Sequence, residues 1–99
     1  MPYQWDEEKN RINQAKHGVR FEQATKVFED PHIVDHKQGV EDGEDRYSVL
    51  GLVNGVVILL VVFTERSVGL GDQVIRIISA RRADRSEKVI YEKARNTRR

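Results

Sequence analysis

Four arginines in the second half of the chain are the residues whose type and placement could do chemistry. Arg66 follows an apolar run, Arg76 stands between two isoleucines, and Arg81 and Arg82 come directly before a helix-like segment. A guanidinium is planar, permanently charged and able to bind a phosphate through two parallel hydrogen bonds. In a regular strand Arg76 points away from its isoleucine neighbours and Arg81 points the opposite way. A twist or a bulge is therefore needed to bring both arginines to one site.

Positive charge is concentrated at the end of the sequence. Residues 73–99 carry nine basic and three acidic side chains, a net charge of +6 in a chain whose total is +1. This asymmetry suggests a polyanionic partner. A solvated, basic last helix would show the same asymmetry, and an ion pair with a neighbouring strand would explain Arg76, since arginines mostly lie exposed. Both explanations remain open on charge alone.

A ribonuclease that uses no metal needs few protein groups, because RNA supplies the 2′-hydroxyl nucleophile. The protein orients that hydroxyl, helps to remove its proton and stabilises negative charge on the transition state, which arginine and lysine can do. His17, Glu65 and Tyr91 are the candidates for proton transfer. Each has a structural alternative. His17 could instead complement the negative end of the first helix, Glu65 could be a solvated loop residue, and Tyr91 could pack the last helix onto the sheet. Trp5 could stack on a base, although a lone tryptophan is more often in a core.

Several classes of function are disfavoured by the sequence. The chain has no cysteine, and it lacks the glycine-rich phosphate loops and the Gly-x-Ser-x-Gly pattern of serine hydrolases. Its histidines, His17, His32 and His36, do not have the spacing of a metal site. We therefore expect neither a metal nor a cofactor. The first residues do not resemble a signal peptide, and the apolar run Val56–Phe63 is too short to span a membrane. We expect a cytoplasmic protein with one domain, residues 1–99.

The N-terminal third predicts a short strand and two helices. Residues 3–5 alternate as a brief edge strand does, and Asp6 is a good N-cap for a helix that ends near His17, before Gly18. Ile12 and Ala15 would form the inward side of this helix. A second helix would bury Phe21, Ala24, Thr25 and Phe28 and end at Asp30-Pro31.

The remaining sequence predicts an antiparallel meander and a last helix. Asn54-Gly55 favours a two-residue hairpin turn with positive φ at both positions. Asp84 and Glu87 have capping-box spacing for a helix over residues 85–95, with Ile90 and Ala94 inward. Strands are expected at residues 32–36, 46–53, 56–64 and 74–80, a loop or hairpin tip at residues 37–45, and a loop at residues 65–73. We predict an α+β fold with two N-terminal helices, a meander of about four strands and a C-terminal helix.

Five short blocks of sequence occur in order between about Tyr3 and Tyr91. They are Trp5-Asp6; Lys16-His17-Gly18-Val19 with Phe21-Glu22; Val27-Phe28-Glu29-Asp30-Pro31; Thr64-Glu65-Arg66; and Arg76-Ile77-Ile78-Ser79-Ala80-Arg81. Together they resemble the BrnT family, the toxins of bacterial type II toxin–antitoxin pairs. The block with Lys16-His17-Gly18 and the block from Arg76 to Arg81 are the most specific. Arg20 departs from the serine that is common before Phe21-Glu22, so we expect no side-chain cap there.

The resemblance implies a RelE-like ribonuclease fold and an endoribonuclease that arrests growth. It implies a BrnA-type antitoxin whose ribbon-helix-helix part binds operator DNA, in an assembly of two toxins and two antitoxins. The family's important positions match Arg66, Arg76, Arg81, His17 and Glu65, which we predict to be catalytic. Lys16, Trp5, Arg82 and Tyr91 are predicted to bind RNA. The alternatives are a nucleic-acid-binding module without catalysis and a protein-interaction domain.

Overall fold

A five-stranded sheet and three α-helices make up the computed structural model, which describes residues 2–97. The elements follow one another as β1 (Tyr3–Gln4), α1 (Glu7–His17), α2 (Phe21–Ala24), a 3₁₀ turn (Thr25–Glu29), β2 (Val34–Glu41), β3 (Glu44–Val53), β4 (Val57–Val68), β5 (Asp72–Arg82) and α3 (Arg85–Thr97). The sheet order is β1-β5-β4-β3-β2; β2 to β5 form an antiparallel meander, and β1 pairs with β5 in parallel. The predicted α+β class is confirmed, with β1 as a fifth strand. Arg98 and Arg99, part of the basic end, lie outside the described residues.

The hairpin between β2 and β3 is longer than predicted. Strand pairing continues to Glu41 and Glu44, and only Asp42 and Gly43, at φ 53° and 73°, form the turn. Of the two predicted possibilities for residues 37–45, the hairpin tip is therefore the one that forms. This part of the hairpin is mostly exposed, so it lacks the alternation of apolar and polar residues by which strands are recognised.

The hairpin between β4 and β5 is also longer than predicted, because its end is exposed and lacks an alternating pattern as well. Its strands extend to Val68 and from Asp72, and two glycines in the turn, Gly69 and Gly71, have φ of 63° and 86°. The predicted loop over residues 65–73 is wrong. By contrast, the turn between β3 and β4 lies where it was predicted, and Asn54 and Gly55 both have positive φ, 54° and 68°. Val53 pairs with Val57, however, so three residues rather than the predicted two lie between the paired strands.

One face of the sheet is packed by α1, α2 and the 3₁₀ turn, and we call it the helix-covered face. The three-residue period of the 3₁₀ turn places Val27 in the fully buried set with Phe21 and Ala24. The predicted Thr25 and Phe28 are partly buried, and Phe28 packs against the core as expected. The core on this face consists of Val19, Phe21, Ala24, Val27, Val49, Val53, Leu59, Val61, Phe63, Ile75, Ile77 and Ala80.

Two asparagines, and not the predicted Ile12 and Ala15, form the inward side of α1. Ile12 is 56 % exposed, whereas Asn10 and Asn13 are buried. Asn10 Oδ1 accepts the backbone N–H of Phe21 at 2.8 Å. That bond serves a donor at the start of α2, where Arg20 forms no side-chain cap, as expected. Asn13 binds the outer edge of β5 at Ala80.

The last helix packs over one end of the opposite face. Asp84 and Glu87 form the predicted capping box, in which the backbone N–H of each residue donates a hydrogen bond of 2.9 Å to the carboxylate of the other. Tyr91 is the fully buried residue of α3, whereas the predicted Ile90 is 40 % exposed. Tyr91 packs with Leu50 and Leu60. No helix among residues 2–97 is long and apolar enough to cross a membrane.

Candidate functional site

The sheet face opposite the helix-covered face carries three of the four predicted arginines: Arg66, Arg76 and Arg81. On β4 the residues Leu59, Val61 and Phe63 belong to the helix-covered core, so the even-numbered residues of this regular strand point to the other side. α3 packs over Leu50 and Leu60 at one end of that side. We call the part beyond α3 the open face; its side chains include Arg46, Ser48, Val62, Thr64, Arg66, Arg76 and Ser79.

A bulge in β5 brings Arg76 and Arg81 to the same side of the sheet. Val62 pairs with Ser79 and Phe63 pairs with Ile77, so Ile78 has no partner on β4. Ile77 and Ala80 both lie in the helix-covered core, three residues apart, which shows that the bulge reverses the alternation. Arg76 and Arg81 therefore both point away from that core, as the two-arginine site required.

Arg76 lies on the open face without a carboxylate partner. Its Nη1 donates a hydrogen bond of 2.9 Å to Oε1 of Gln4, the residue that pairs with it on β1. Within residues 2–97 it forms no ion pair, so the neighbouring-strand ion pair considered above is not what the structure shows. The amide of Gln4 orients the guanidinium and leaves its charge available to an anion.

Arg66 lies on the same face, close to the tip of the second long hairpin. Its Nη2 is 3.2 Å from Oε2 of Glu44 on β3, and its side chain is 45 % exposed. Exposed ion pairs of this kind contribute little free energy, typically about 0–1 kcal/mol. A phosphate can therefore replace Glu44 as the partner of Arg66 at low cost.

Arg81 is held at the edge of α3 by a buried glutamate. Its two terminal nitrogens donate hydrogen bonds of 2.8 and 2.9 Å to the two oxygens of Glu87. These bonds hold the pKa of Glu87 below its usual range and raise the pKa of Arg81. His36 Nε2 lies 3.7 Å from the same carboxylate. Glu87 thus fixes Arg81 in one orientation beside the open face.

Arg46 was not among the predicted site residues, yet it lies on the open face. It precedes Tyr47, which pairs with Phe63 in the helix-covered core, so Arg46 points to the same side as Thr64. Thr64 in turn pairs with Arg76. Alternation with Ser48 and Leu50 could have revealed this position, but the preceding residues were assigned to a loop.

Glu65 lies on the opposite side of the sheet from the arginines. It follows Phe63 by two residues on β4 and pairs with Ile75, and both of these belong to the helix-covered core. Its exposed side chain lines a shallow groove with Tyr47 and Gln38. The structure therefore does not bring Glu65 together with Arg66 and Arg76.

Trp5 and Tyr91, predicted to contact RNA, are held by contacts within the protein. Trp5 packs edge-on against Phe21, with ring centroids 6.2 Å apart, and its indole N–H donates to Glu7. Tyr91 is 0 % exposed, so it offers RNA no surface, which corrects that prediction. Burial and the hydrogen bond from its hydroxyl to Asp30, at 2.6 Å, raise the pKa of Tyr91. Its role is to fasten α3 to the sheet.

Lys16, His17 and Arg82 lie away from the centre of the open face. Lys16 and His17 end α1, past the turn that contacts Ala80 through Asn13. Among residues 2–97 neither side chain forms a hydrogen bond or an ion pair, so both are free to meet a ligand. Arg82 is exposed at the end of β5, where it lines a cleft with Lys88 and Arg95 of α3.

The described histidines do not converge on a metal-ligating arrangement. His36 approaches Glu87, and His32 lies in the connection before β2. Residues 2–97 contain no group of three or more histidine, aspartate or glutamate residues placed to hold a metal ion.

Comparison with known proteins assigns the family. The profile described as the ribonuclease toxin, BrnT, of type II toxin–antitoxin systems matches residues 5–87. The chain belongs to the BrnT family. The match includes every arginine of the open face and Arg81, and it confirms the family that the five sequence blocks indicated. The chain is thus a member of a family of ribonuclease toxins of type II toxin–antitoxin systems.

A solved BrnT structure has a similar fold. The 1.1 Å crystal structure of the Brucella abortus ribonuclease toxin BrnT superposes with a TM-score of 0.59 at 28 % sequence identity. The similarity covers 86 % of this chain and 99 % of the Brucella chain. No curated protein gives a significant match.

Proposed function

We propose that this BrnT-family chain is a metal-independent endoribonuclease toxin that cleaves RNA through attack of the 2′-hydroxyl and so inhibits translation and growth. The observation that carries the proposal is the gathering of Arg66, Arg76 and Arg81 on one side of the sheet by the bulge at Ile78. Arg76 has no carboxylate partner, Arg66 has a partly exposed one in Glu44, and Arg81 is oriented by Glu87. Together these guanidiniums form a surface suited to a phosphodiester.

The RNA supplies the nucleophile for this reaction, so the protein forms no covalent bond to it. Its main contribution is to stabilise the negative charge of the transition state. The 2′-oxygen attacks the adjacent phosphorus, and the bond from phosphorus to the 5′-oxygen breaks. The products are a 2′,3′-cyclic phosphate and a 5′-hydroxyl. Negative charge builds up on the non-bridging oxygens, where preorganised arginines lower the barrier. We assign the central role to Arg76, because its charge is not paired with a carboxylate. Arg66 and Arg81 flank it.

The proton-transfer step involves a smaller set of candidates than the sequence predicted. Tyr91 is buried and its raised pKa keeps the hydroxyl protonated. Glu65 is exposed on the helix-covered side, and His17 lies at the end of α1. Either residue would act only on an RNA strand that passes around an edge of the sheet.

The partner that we propose is a BrnA-like antitoxin with a ribbon-helix-helix part. Membership in a type II toxin family supports an antitoxin partner. We propose an assembly of two toxins and two antitoxins that binds operator DNA. We also propose that the meander, with helices packed on one face, belongs among RelE-like ribonuclease folds. Co-expression with the neighbouring reading frame, followed by light scattering on the purified complex, would measure the stoichiometry; a complex of any other ratio would contradict it.

The decisive experiment uses end-labelled RNA in excess EDTA. The parent protein is compared with Arg76→Ala and with Arg20→Ala, which removes the same charge from an exposed position before α2. We expect the parent and Arg20→Ala to give fragments with cyclic phosphate ends and 5′-hydroxyl partners, and Arg76→Ala to give none. RNA that is only shifted on a gel by all three proteins would instead support a binding module without catalysis.

A further inference from the structure

Arg46 is the arginine of the open face that the proposed chemistry does not use, and its environment is unusual. Its side chain is 22 % exposed, and Nη1 lies 3.3 Å from the carboxylate of Glu41, which is 67 % exposed. Its Nε is buried and has no hydrogen-bond partner among residues 2–97. A buried charged group with an unpaired donor is costly, so such an atom in a folded protein calls for an explanation.

The position of Arg46 relates it to Arg76. Arg46 on β3 and Arg76 on β5 flank Thr64 of β4 from the two neighbouring strands and point to the same side. Their backbones are therefore about two strand spacings apart, roughly 10 Å. Thr64 itself is 1 % exposed and donates its hydroxyl proton to the carbonyl of Asp45. Two guanidiniums thus lie in line across the sheet, and Thr64 between them is uncharged and already has a hydrogen-bond partner within the protein.

We propose that Arg46 forms a second phosphate-binding subsite, which holds the phosphodiester next to the one that Arg76 binds. This inference rests on the proposed ribonuclease function and extends it. Binding of a phosphate would let the guanidinium turn from the exposed Glu41 and give its unpaired donor an acceptor, because a phosphate accepts several charge-assisted hydrogen bonds. RNA would then cross the sheet roughly perpendicular to its strands, with one phosphate at Arg76 and the next at Arg46.

An alternative explanation of Arg46 is purely structural. In that case the side chain would only cover Thr64 and pair with Glu41, and its removal would lower the stability of the hairpin without a specific effect on RNA. The two explanations differ in the salt dependence of RNA binding. Each phosphate contact on a single strand adds about 0.7 to the slope of log affinity against log salt, whereas a packing role adds nothing.

The test measures binding of a fully 2′-O-methylated RNA hexanucleotide, which lacks the nucleophile, at several salt concentrations. The parent is compared with Arg46→Ala, Arg46→Lys and Arg20→Ala, and a thermal melt of each protein shows that it is folded. We expect Arg46→Ala to weaken binding by about 5- to 20-fold and to lower the slope by about 0.7, and Arg20→Ala to leave the slope unchanged. Arg46→Lys keeps the charge, so it should retain most of the slope.

Cleavage of short substrates provides the second measurement. A dinucleotide has one phosphodiester, so Arg46→Ala should cleave it at the parental rate, while a tetranucleotide should show a raised KM. An unchanged salt slope in folded Arg46→Ala, or an equal loss in Arg20→Ala, would overturn the second subsite. These results are independent of catalysis: failure of the parent to cleave any RNA would remove the proposed nuclease activity, yet the salt slope would still report on Arg46.

Discussion

Arg76 and Arg81 project from the same side of β5 although they are five residues apart, because Ile78 is a bulge without a partner on β4. In a regular strand an odd separation places two side chains on opposite faces. The consequence is that Arg81, held by Glu87, and Arg76, oriented by Gln4, border one surface. The shape of this surface depends on one extra residue in the backbone.

Replacing Arg76 by lysine should separate charge from geometry. The ammonium keeps the positive charge but cannot present the planar fork that Gln4 now orients. We expect Arg76→Lys to lower kcat by about 10²-fold, the range seen when one transition-state donor is lost, with a smaller change in KM. Single-turnover cleavage of a short RNA measures both constants. Equal rates for the lysine variant and the parent would show that only charge matters at this position.

Protonation of Glu87 should weaken the fold in acid. Hydrogen bonds from Arg81 hold the pKa of Glu87 below its ordinary value of 4.5. A lowered pKa in the folded state contributes stability that is fully present above the unfolded value and is lost as pH falls through the folded value. The free energy of unfolding should therefore drop below about pH 4.5, and Glu87→Gln should reduce that drop. Urea titrations between pH 7 and pH 3 measure it; parallel pH curves for the two proteins would contradict this role.

The sequence was informative where local chemistry decides the structure. The capping box of Asp84 and Glu87 forms as predicted, and Asn54 and Gly55 have the predicted positive φ, because both features depend on neighbouring residues. The arginine positions were recognisable because a charged residue between isoleucines is unusual. The predictions that failed concern residues whose environment depends on distant partners. The inward side of α1 is one example, since Asn13 is buried where Ala80 supplies both of its backbone groups as hydrogen-bond partners.

The same limit explains the candidate site. The bulge at Ile78 follows from the fit of β5 against β4, which no local pattern records, so the sequence could state only that a bulge was needed. Glu65 adjoins Arg66 in the chain but lies on the other face, because its strand continues where a loop was predicted. Tyr91 is buried against Leu50 and Leu60, and its hydroxyl donates a hydrogen bond to Asp30, which is 61 residues away in the chain. Arg46 was missed because it stood at the start of the predicted strand, after residues that were not assigned to a strand.

Adding a methyl group at Gly51 should destabilise the protein by steric overlap. A Cβ at Gly51 would lie 2.6 Å from the Cβ of Val27 and 3.0 Å from its Cα and carbonyl oxygen. The backbone of the 3₁₀ turn would have to move, so we expect Gly51→Ala to lower the free energy of unfolding by about 1–3 kcal/mol. Gly39→Ala is the matched control, because nothing lies within 4 Å of a Cβ there. Chemical denaturation of both variants should show a loss only for Gly51→Ala.

Substitution of Asn13 should lower the stability of the protein more than substitution of most polar residues. Its side-chain amide hydrogen bonds to both backbone groups of Ala80 at the outer edge of β5, as a neighbouring strand would. Its Nδ2 donates to the carbonyls of Val19 and Ala80, at 2.9 and 2.8 Å, and its Oδ1 accepts the N–H of Ala80 at 3.2 Å. Alanine at this position would leave those backbone groups unsatisfied in a buried site, at about 1–3 kcal/mol for each group that water cannot reach. We expect Asn13→Ala to lose about 2–4 kcal/mol by urea denaturation.

Aspartate at the same position gives the sharper form of this prediction. It keeps the size of the side chain and the acceptor for Ala80 N–H, but at neutral pH it turns a carboxylate oxygen toward two carbonyl oxygens. Asn13→Asp should therefore be at least as destabilising as Asn13→Ala, whereas the exposed neighbour Gln14→Ala should be nearly neutral. If Asn13→Asp retained parental stability, the two donated hydrogen bonds would be unimportant, and Asn13 would serve only as an acceptor at the edge of β5.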